Sequence, residues 1–120
     1  LRKTTIMHCV SAYPCPLENI NLPRIRYLQN KFPNVGYSGH SEGVNDALAA
    51  ISLGAKVIEK HFTLDKSLPG RDNKFALTPC EIKLVCEFDK ELQLMQKDKG
   101  IDFQEIEEDM QKNYIGRWDS

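Results

Sequence analysis

Glu59 and His61 stand two residues apart where a strand-like run, "AKVIEK" (residues 55–60), reaches its end. In a strand, residues i and i+2 share a face, so this carboxylate and imidazole project together and Lys60 lies opposite. Ser38 and His40 repeat the spacing at the end of an earlier run, and Ser11 and Tyr13 repeat it after the first. Neutral imidazoles are good ligands for divalent transition metals. His40 and His61, on neighbouring strand ends, can share one ion and leave its remaining positions to water or substrate. That suits a catalytic ion rather than a structural one. Glu59 beside such an ion suits acid/base work or acceptance of a substrate hydroxyl. Asp72, in "GRD", adds a second carboxylate on a flexible loop.

Each of these residues also has a plain structural reading. His40 can cap a turn, His61 can bond backbone at a strand end, Ser38 is a common turn residue, and Tyr13 before Pro14 can simply pack. Asp72 alone is a solvated loop charge. His8, in mid-strand, reads as a satisfied core histidine. Lys56, Lys60 and Lys74 read as solvated, and Met95 and the aromatics as core. The joint placement of three polar pairs at three strand ends is what favours a site.

The elements that would position them follow from periodicity. Residues 4–10, "TTIMHCV", are β-branched and apolar and read as a strand; Pro14 and Pro16 then force a loop. Leu22, Ile25, Leu28 and Phe32 recur at near-helical spacing, and Pro33 stops that helix. Residues 34–38 read as a short strand. Val44, Ala47, Leu48 and Ile51 mark a second helix closed by Gly54 at its C-terminus. After the strand at 55–60 comes a long polar loop, residues 61–77. "TPCE" then opens a third helix, with Thr78 as N-cap, Pro79 at N1 and Glu81 at N3. It would turn Ile82, Val85, Cys86, Leu92 and Met95 towards a core. The acidic tail beyond Gly100 shows only an Ile101, Phe103, Ile106 cluster.

The order β-α-β-α-β-α predicts parallel strands with right-handed crossovers, and in such architecture the carboxyl ends of the strands gather the site. Three units cannot close a barrel, which takes about 250 residues. A start at Leu1 inside a strand-like run points the same way, to an incomplete chain. The expectation from the residues alone is therefore an α/β piece of a larger parallel architecture.

Composition narrows the class. Lys+Arg 16 against Asp+Glu 17 leaves a formal net charge of −1, without the basic excess of a nucleic-acid binder. No apolar run approaches the ~20 residues of a membrane span. The opening residues lack the apolar stretch of a signal peptide. Cys9, Cys15, Cys80 and Cys86 form no CxxC pair and read as free thiols of a cytoplasmic protein.

"SAYPCPLENINL", "GYSGHSEG" and "GAKVIEKHFTLDKSLPGRD", followed by "LTP", resemble the sialic acid synthase family over residues 5–94. That family comprises the N-acetylneuraminate synthases with their legionaminic and pseudaminic acid relatives. "GYSGH" and "EKHFTLD", taken together at this separation, are its specific signature. The resemblance implies a TIM (β/α)₈ barrel, of which residues 1–97 would be the last three βα units and 98–120 a tail or linker, followed by a small antifreeze-like domain that reaches across a homodimer. It implies a divalent cation, commonly manganese, and condensation of phosphoenolpyruvate with an N-acylated amino sugar such as N-acetylmannosamine. In that reaction C3 of the enol attacks the open-chain aldehyde, water captures C2, and carbon–oxygen cleavage releases phosphate. It further implies that His40 and His61 ligate the metal. Glu59 and Asp72 would face sugar hydroxyls, Ser38 and Ser11 would hold phosphoenolpyruvate, and Tyr13 would line the sugar pocket. Many members carry Asp where Gly39 stands and His where Asn73 stands. The family's phosphate-binding lysines have no counterpart in these 120 residues, which by themselves are expected to be inactive. The competing readings are another metal-dependent barrel lyase or hydrolase, and a non-catalytic remnant or binding module.

Overall fold

The computed structural model describes residues 3–114 and Gly116. Three parallel strands form one sheet in the order β1 (Ile6–Cys9), β2 (Val35–Gly39), β3 (Ile58–Lys60). Between them lie α1 (Pro23–Gln29) and α2 (Asn45–Ser52), and α3 (Pro79–Met95) and a short α4 (Glu108–Asn113) follow. This is the alternating α/β order read from periodicity, with β1, α1 and β3 shorter than the runs read for them. α1 stops at Gln29, where the N–H groups of Lys31 and Phe32 both turn back to the Leu28 carbonyl at 2.9 Å.

β2 is the centre of the sheet and is buried along its whole length. Register pairs Ile6 with Val35 and His8 with Tyr37 on one side, and Ser38 with Glu59 and Gly39 with Lys60 on the other. The core fills the face under α1 and α2, from Cys15, Ile20, Ile25, Val35, Tyr37 and Ala50. The end of α2 is a full Schellman turn. Gly54 takes φ of 92°, its N–H bonds the Ile51 carbonyl, and the Ala55 N–H reaches Ala50 at 3.0 Å. A side chain there would carry the strain of the left-handed region, which glycine avoids.

Three sequence expectations change. The segment 61–77 is not simply a polar loop. Phe62 and Leu77 form a parallel bridge, and the Leu77 N–H donates to the His61 carbonyl at 2.7 Å. Phe75, Ala76 and Leu77 are buried as a result. Second, α3 has the expected amphipathic spacing but buries no residue completely. Ile82, Val85 and Leu92 are half covered, Cys86 is exposed, and Met95 stands 66% exposed. Third, Ile101, Phe103 and Ile106 do not cluster into a core; all are exposed. The radius of gyration is 19.6 Å, against about 13.6 Å for a compact chain of this length, and residues 96–114 are all exposed. No helix among the described residues is long and apolar enough to cross a membrane.

The capping box of α3 forms. Glu81 accepts from the Thr78 N–H at 2.8 Å and from Lys66 Nζ at 2.8 Å, tying the 61–77 segment to the helix start. The Lys66 ammonium first, then the Thr78 N–H, hold the Glu81 carboxyl below its ordinary value of 4.5. A lowered carboxyl contributes stability that is complete above the unfolded value and is lost as pH falls through the folded one. Glu81→Gln keeps an acceptor for the Thr78 N–H but removes the charge, and is therefore expected to lower stability near neutrality by about 0.5 kcal/mol, the scale of a part-exposed ion pair at a helix start. It should also flatten the acid limb of a plot of thermal midpoint against pH. Parallel acid limbs in the two proteins would count against the role.

Candidate active site at the carboxyl ends of the strands

The site is built where the strands stop. Ser38 and Glu59 are direct partners across β2 and β3, and the Ser38 hydroxyl donates to Glu59 Oε1 at 2.7 Å. Ser38 is buried while Glu59 is exposed, so the bond anchors an otherwise open carboxylate. One residue beyond β2, His40 is only 5% exposed and its Nδ1 lies 3.0 Å from the Val10 carbonyl. A carbonyl can only accept, so Nδ1 carries the proton, and in the neutral imidazole the lone pair is on Nε2. This is the arrangement in which metal-binding imidazoles are commonly oriented.

His61, one residue beyond β3, places its ring 5.3 Å from that of His40. Its Nδ1 faces Asp72 Oδ2 at 3.5 Å. Tyr13 lies against His40 with 4.3 Å between ring centres and 6.1 Å from His61. Tyr13, His61, Arg71 and Asp72 line an open cleft of about 400 Å³. Thus the structure brings Tyr13, His61 and Asp72 to one opening, with His40 buried against the rings of Tyr13 and His61 and with Ser38 and Glu59 as a bonded pair on the adjoining strand ends. Ser11 is exposed at the end of β1, its hydroxyl 3.8 Å from the Cys9 thiol, outside the ring cluster.

Sequence reasoning missed Phe75. It is completely buried, and its ring lies 5.0 Å from His61, 6.1 Å from Tyr13 and 6.4 Å from His40. It forms the wall against which the other three rings stand. Nothing in "DNKFAL" marks it as more than one apolar residue in a polar stretch. His8 is only half satisfied. Its Nε2 meets the Ile20 carbonyl at 2.7 Å, while Nδ1 is buried without a partner.

Lys60 is the clearest correction. Lys56 and Lys74 are exposed, but the Lys60 side chain is 4% exposed. Its ammonium meets Asp46 Oδ1 and Oδ2 at 3.1 and 3.0 Å and the Ser41 carbonyl at 2.7 Å. Tyr37 donates its hydroxyl to Asp46 Oδ2 at 2.8 Å. Burial first, then the Asp46 carboxylate, hold the Tyr37 phenol far above its usual value, so it serves as a fixed donor. Period-2 reasoning puts Lys60 on the face away from Glu59 and His61, but that face is covered by α2 instead of water.

No cluster of three or more His, Cys, Asp or Glu side chains placed to hold a metal occurs among the described residues. What is present is two imidazoles. Each has its Nδ1 turned to an oxygen acceptor, which fits a divalent ion bound by two protein nitrogens with its other positions open.

Comparison with known proteins agrees with the motifs. Residues 1–100 match the NeuB family. The chain is 42% identical over 110 residues to N,N'-diacetyllegionaminic acid synthase of Campylobacter jejuni, covering 91% of this chain and 32% of that protein. It is 50% identical over 82 residues to N-acetylneuraminate-9-phosphate synthase of Drosophila melanogaster, covering 67% of this chain and 22% of the other. The crystal structure of the N-acetylneuraminic acid (sialic acid) synthetase of Leptospira borgpetersenii in complex with citrate superposes with a TM-score of 0.76 at 31% identity. That match covers 94% of this chain and 41% of the other. The chain therefore spans a third or less of the length of these curated relatives.

Replacing Phe75 by Ala is expected to cost about 3–5 kcal/mol of stability, read from denaturant unfolding. An unchanged midpoint would show that the ring is not the wall of the cluster.

Proposed function

Because the chain belongs to the NeuB family, we propose that it carries the metal-binding end of a nonulosonic acid synthase active site. The observation that carries this reading is the pair of imidazoles beyond adjacent parallel strands, with His40 locked by Val10 so that its Nε2 stays free. Residues 1–97 would be the last three βα units of a (β/α)₈ barrel, and 98–120 a tail or linker. A sheet of three parallel strands with its reactive groups at the carboxyl ends supports that placement. The remaining strands would supply the phosphate-binding cations, so these 120 residues alone would be inactive. A homodimer is the assembly proposed for the whole protein.

The proposed substrates are phosphoenolpyruvate and an N-acylated amino sugar in its open-chain form. C3 of phosphoenolpyruvate bonds to the sugar's aldehyde carbon, water adds at C2, and cleavage of the C2–oxygen bond releases phosphate. A divalent cation, manganese in this proposal, would supply Lewis acidity for polarising the aldehyde oxygen. His40 and His61 would hold it through their Nε2 atoms. Glu59, kept in place by the Ser38 hydroxyl, would accept a sugar hydroxyl or take up a proton at Oε2. Asp72 orients His61 and meets the sugar from the loop. Tyr13 would cover the sugar on the side of His40. Ser11 and Ser38 would contact phosphoenolpyruvate, and Ser38 would turn its hydroxyl proton from Glu59 to donate to that anion.

The test is phosphate release by the full-length protein with both substrates present. Chelation is expected to abolish it, added Mn²⁺ to restore it, and His61→Ala to lower it by at least about a hundredfold, the scale of lost electrostatic catalysis. Activity surviving both chelation and His61→Ala would rule out the metal role. Phosphate release that ignores either substrate would point instead to a barrel hydrolase.

A further inference from the structure

Lys60 sits between Glu59 and His61 in the chain and on the opposite face of the sheet. Its ammonium reaches across β2 to the Ser41 carbonyl, one residue past His40, and to both oxygens of Asp46 in the first turn of α2. The tie passes directly over Gly39. A Cβ there would run into the Asp46 carboxylate and come within 2.6 Å of the Tyr37 ring and 3.0 Å of Lys60 Cδ. One side chain therefore joins the residue before His61 to the residue after His40, and the missing side chain at 39 makes room for it.

The cost of this device indicates what it does. Removing two charges from water is expensive, and apolar residues of similar size commonly serve stability as well or better. The pair is nonetheless fully buried and fully bonded, with Tyr37 as a further donor. An ion pair has what an apolar pair lacks, which is directional bonds. β3 is three residues long and, among the described residues, its ladder partner is β2. Its carboxyl end thus depends on side-chain and loop ties to hold His61 in place.

We propose that Lys60, with Asp46 and Tyr37, is a positioning residue that fixes the separation and orientation of His40 and His61, and so sets the affinity and geometry of the divalent ion they hold. This rests on the metal reading given under the proposed function. The cluster touches neither the ion nor the substrate; it acts by fixing the two strand ends.

The test uses the full-length protein, Mn²⁺ titrated by calorimetry and Co²⁺ read by its visible absorption spectrum. His40→Ala and His61→Ala first establish the ligands. Lys60→Met leaves Asp46 buried and unpaired and is expected to lower the thermal midpoint. The double variant Lys60→Met/Asp46→Asn removes both charges, keeps an acceptor for the Tyr37 hydroxyl, and is expected to fold. Both variants should bind Mn²⁺ about 10–100-fold more weakly, the usual effect of losing an outer orienting group, and shift the Co²⁺ spectrum. Wild-type affinity and spectrum in the folded double variant would overturn the positioning role while leaving the metal reading intact. Failure of both Lys60 variants to fold would overturn it too, in favour of plain structural support. Unaltered metal binding in both histidine variants would remove the metal reading itself, and this proposal with it.

Discussion

Pairing Ser38 with Glu59 and Gly39 with Lys60 across β2 and β3 is the constraint on which the site depends. Parallel pairing fixes two faces at once. One carries the serine and the carboxylate towards the opening, and the other carries the lysine under α2. A slip of one residue would exchange them, exposing an ammonium at the site and burying Glu59 without a partner. The hydrogen bonds from Ser38 to Glu59 and from Lys60 to Asp46 therefore select the register as well as occupying it, since neither survives the alternative.

The two faces carry out opposite tasks with similar chemistry. On the open face, polar groups are anchored at one atom and left free at another: His40 by Val10, Glu59 by Ser38, His61 beside Asp72. On the covered face the Lys60 ammonium finds three oxygen acceptors, and Asp46 receives bonds from Lys60 and Tyr37. Exposed groups with a spare lone pair can meet a ligand. Buried groups with none to spare can only hold the backbone. The rings of Tyr13 and Phe75 add an apolar wall, which shields His40 from water more than His61.

Much of this was legible in residue spacing, for a physical reason. Alternation along a strand is a property of the backbone alone, so the shared faces of Glu59 with His61 and Ser38 with His40 can be read without knowing any neighbour. Gly54 and the "TPCE" box were legible for the same reason, because caps are local. Lys60 was misread because alternation gives a face but not what covers it; the cover is α2, whose Asp46 lies 14 residues away. Phe75 was read only as one of the core aromatics, because its place beside the three site rings depends on the bridge between Phe62 and Leu77, a pairing across a loop with no periodic signal. The apolar stripe of α3 was read correctly as a stripe, but the surface that would bury it is not among the described residues.

The space at position 39 has a consequence for how such a site can change over time. A Cβ at 39 and the carboxylate of Asp46 claim the same volume, so the two positions cannot vary independently. An acid at 39, which the motif resemblance associates with many members of the family, would bring its charge to the place where Asp46 already meets Lys60. Lengthening residue 39 with Asp46 in place would crowd two carboxylates around one ammonium, whereas a shorter residue 46 would leave room for it. The glycine of "GYSGH" and the carboxylate of Asp46 are thus one coupled choice, made twice in the sequence and once in space.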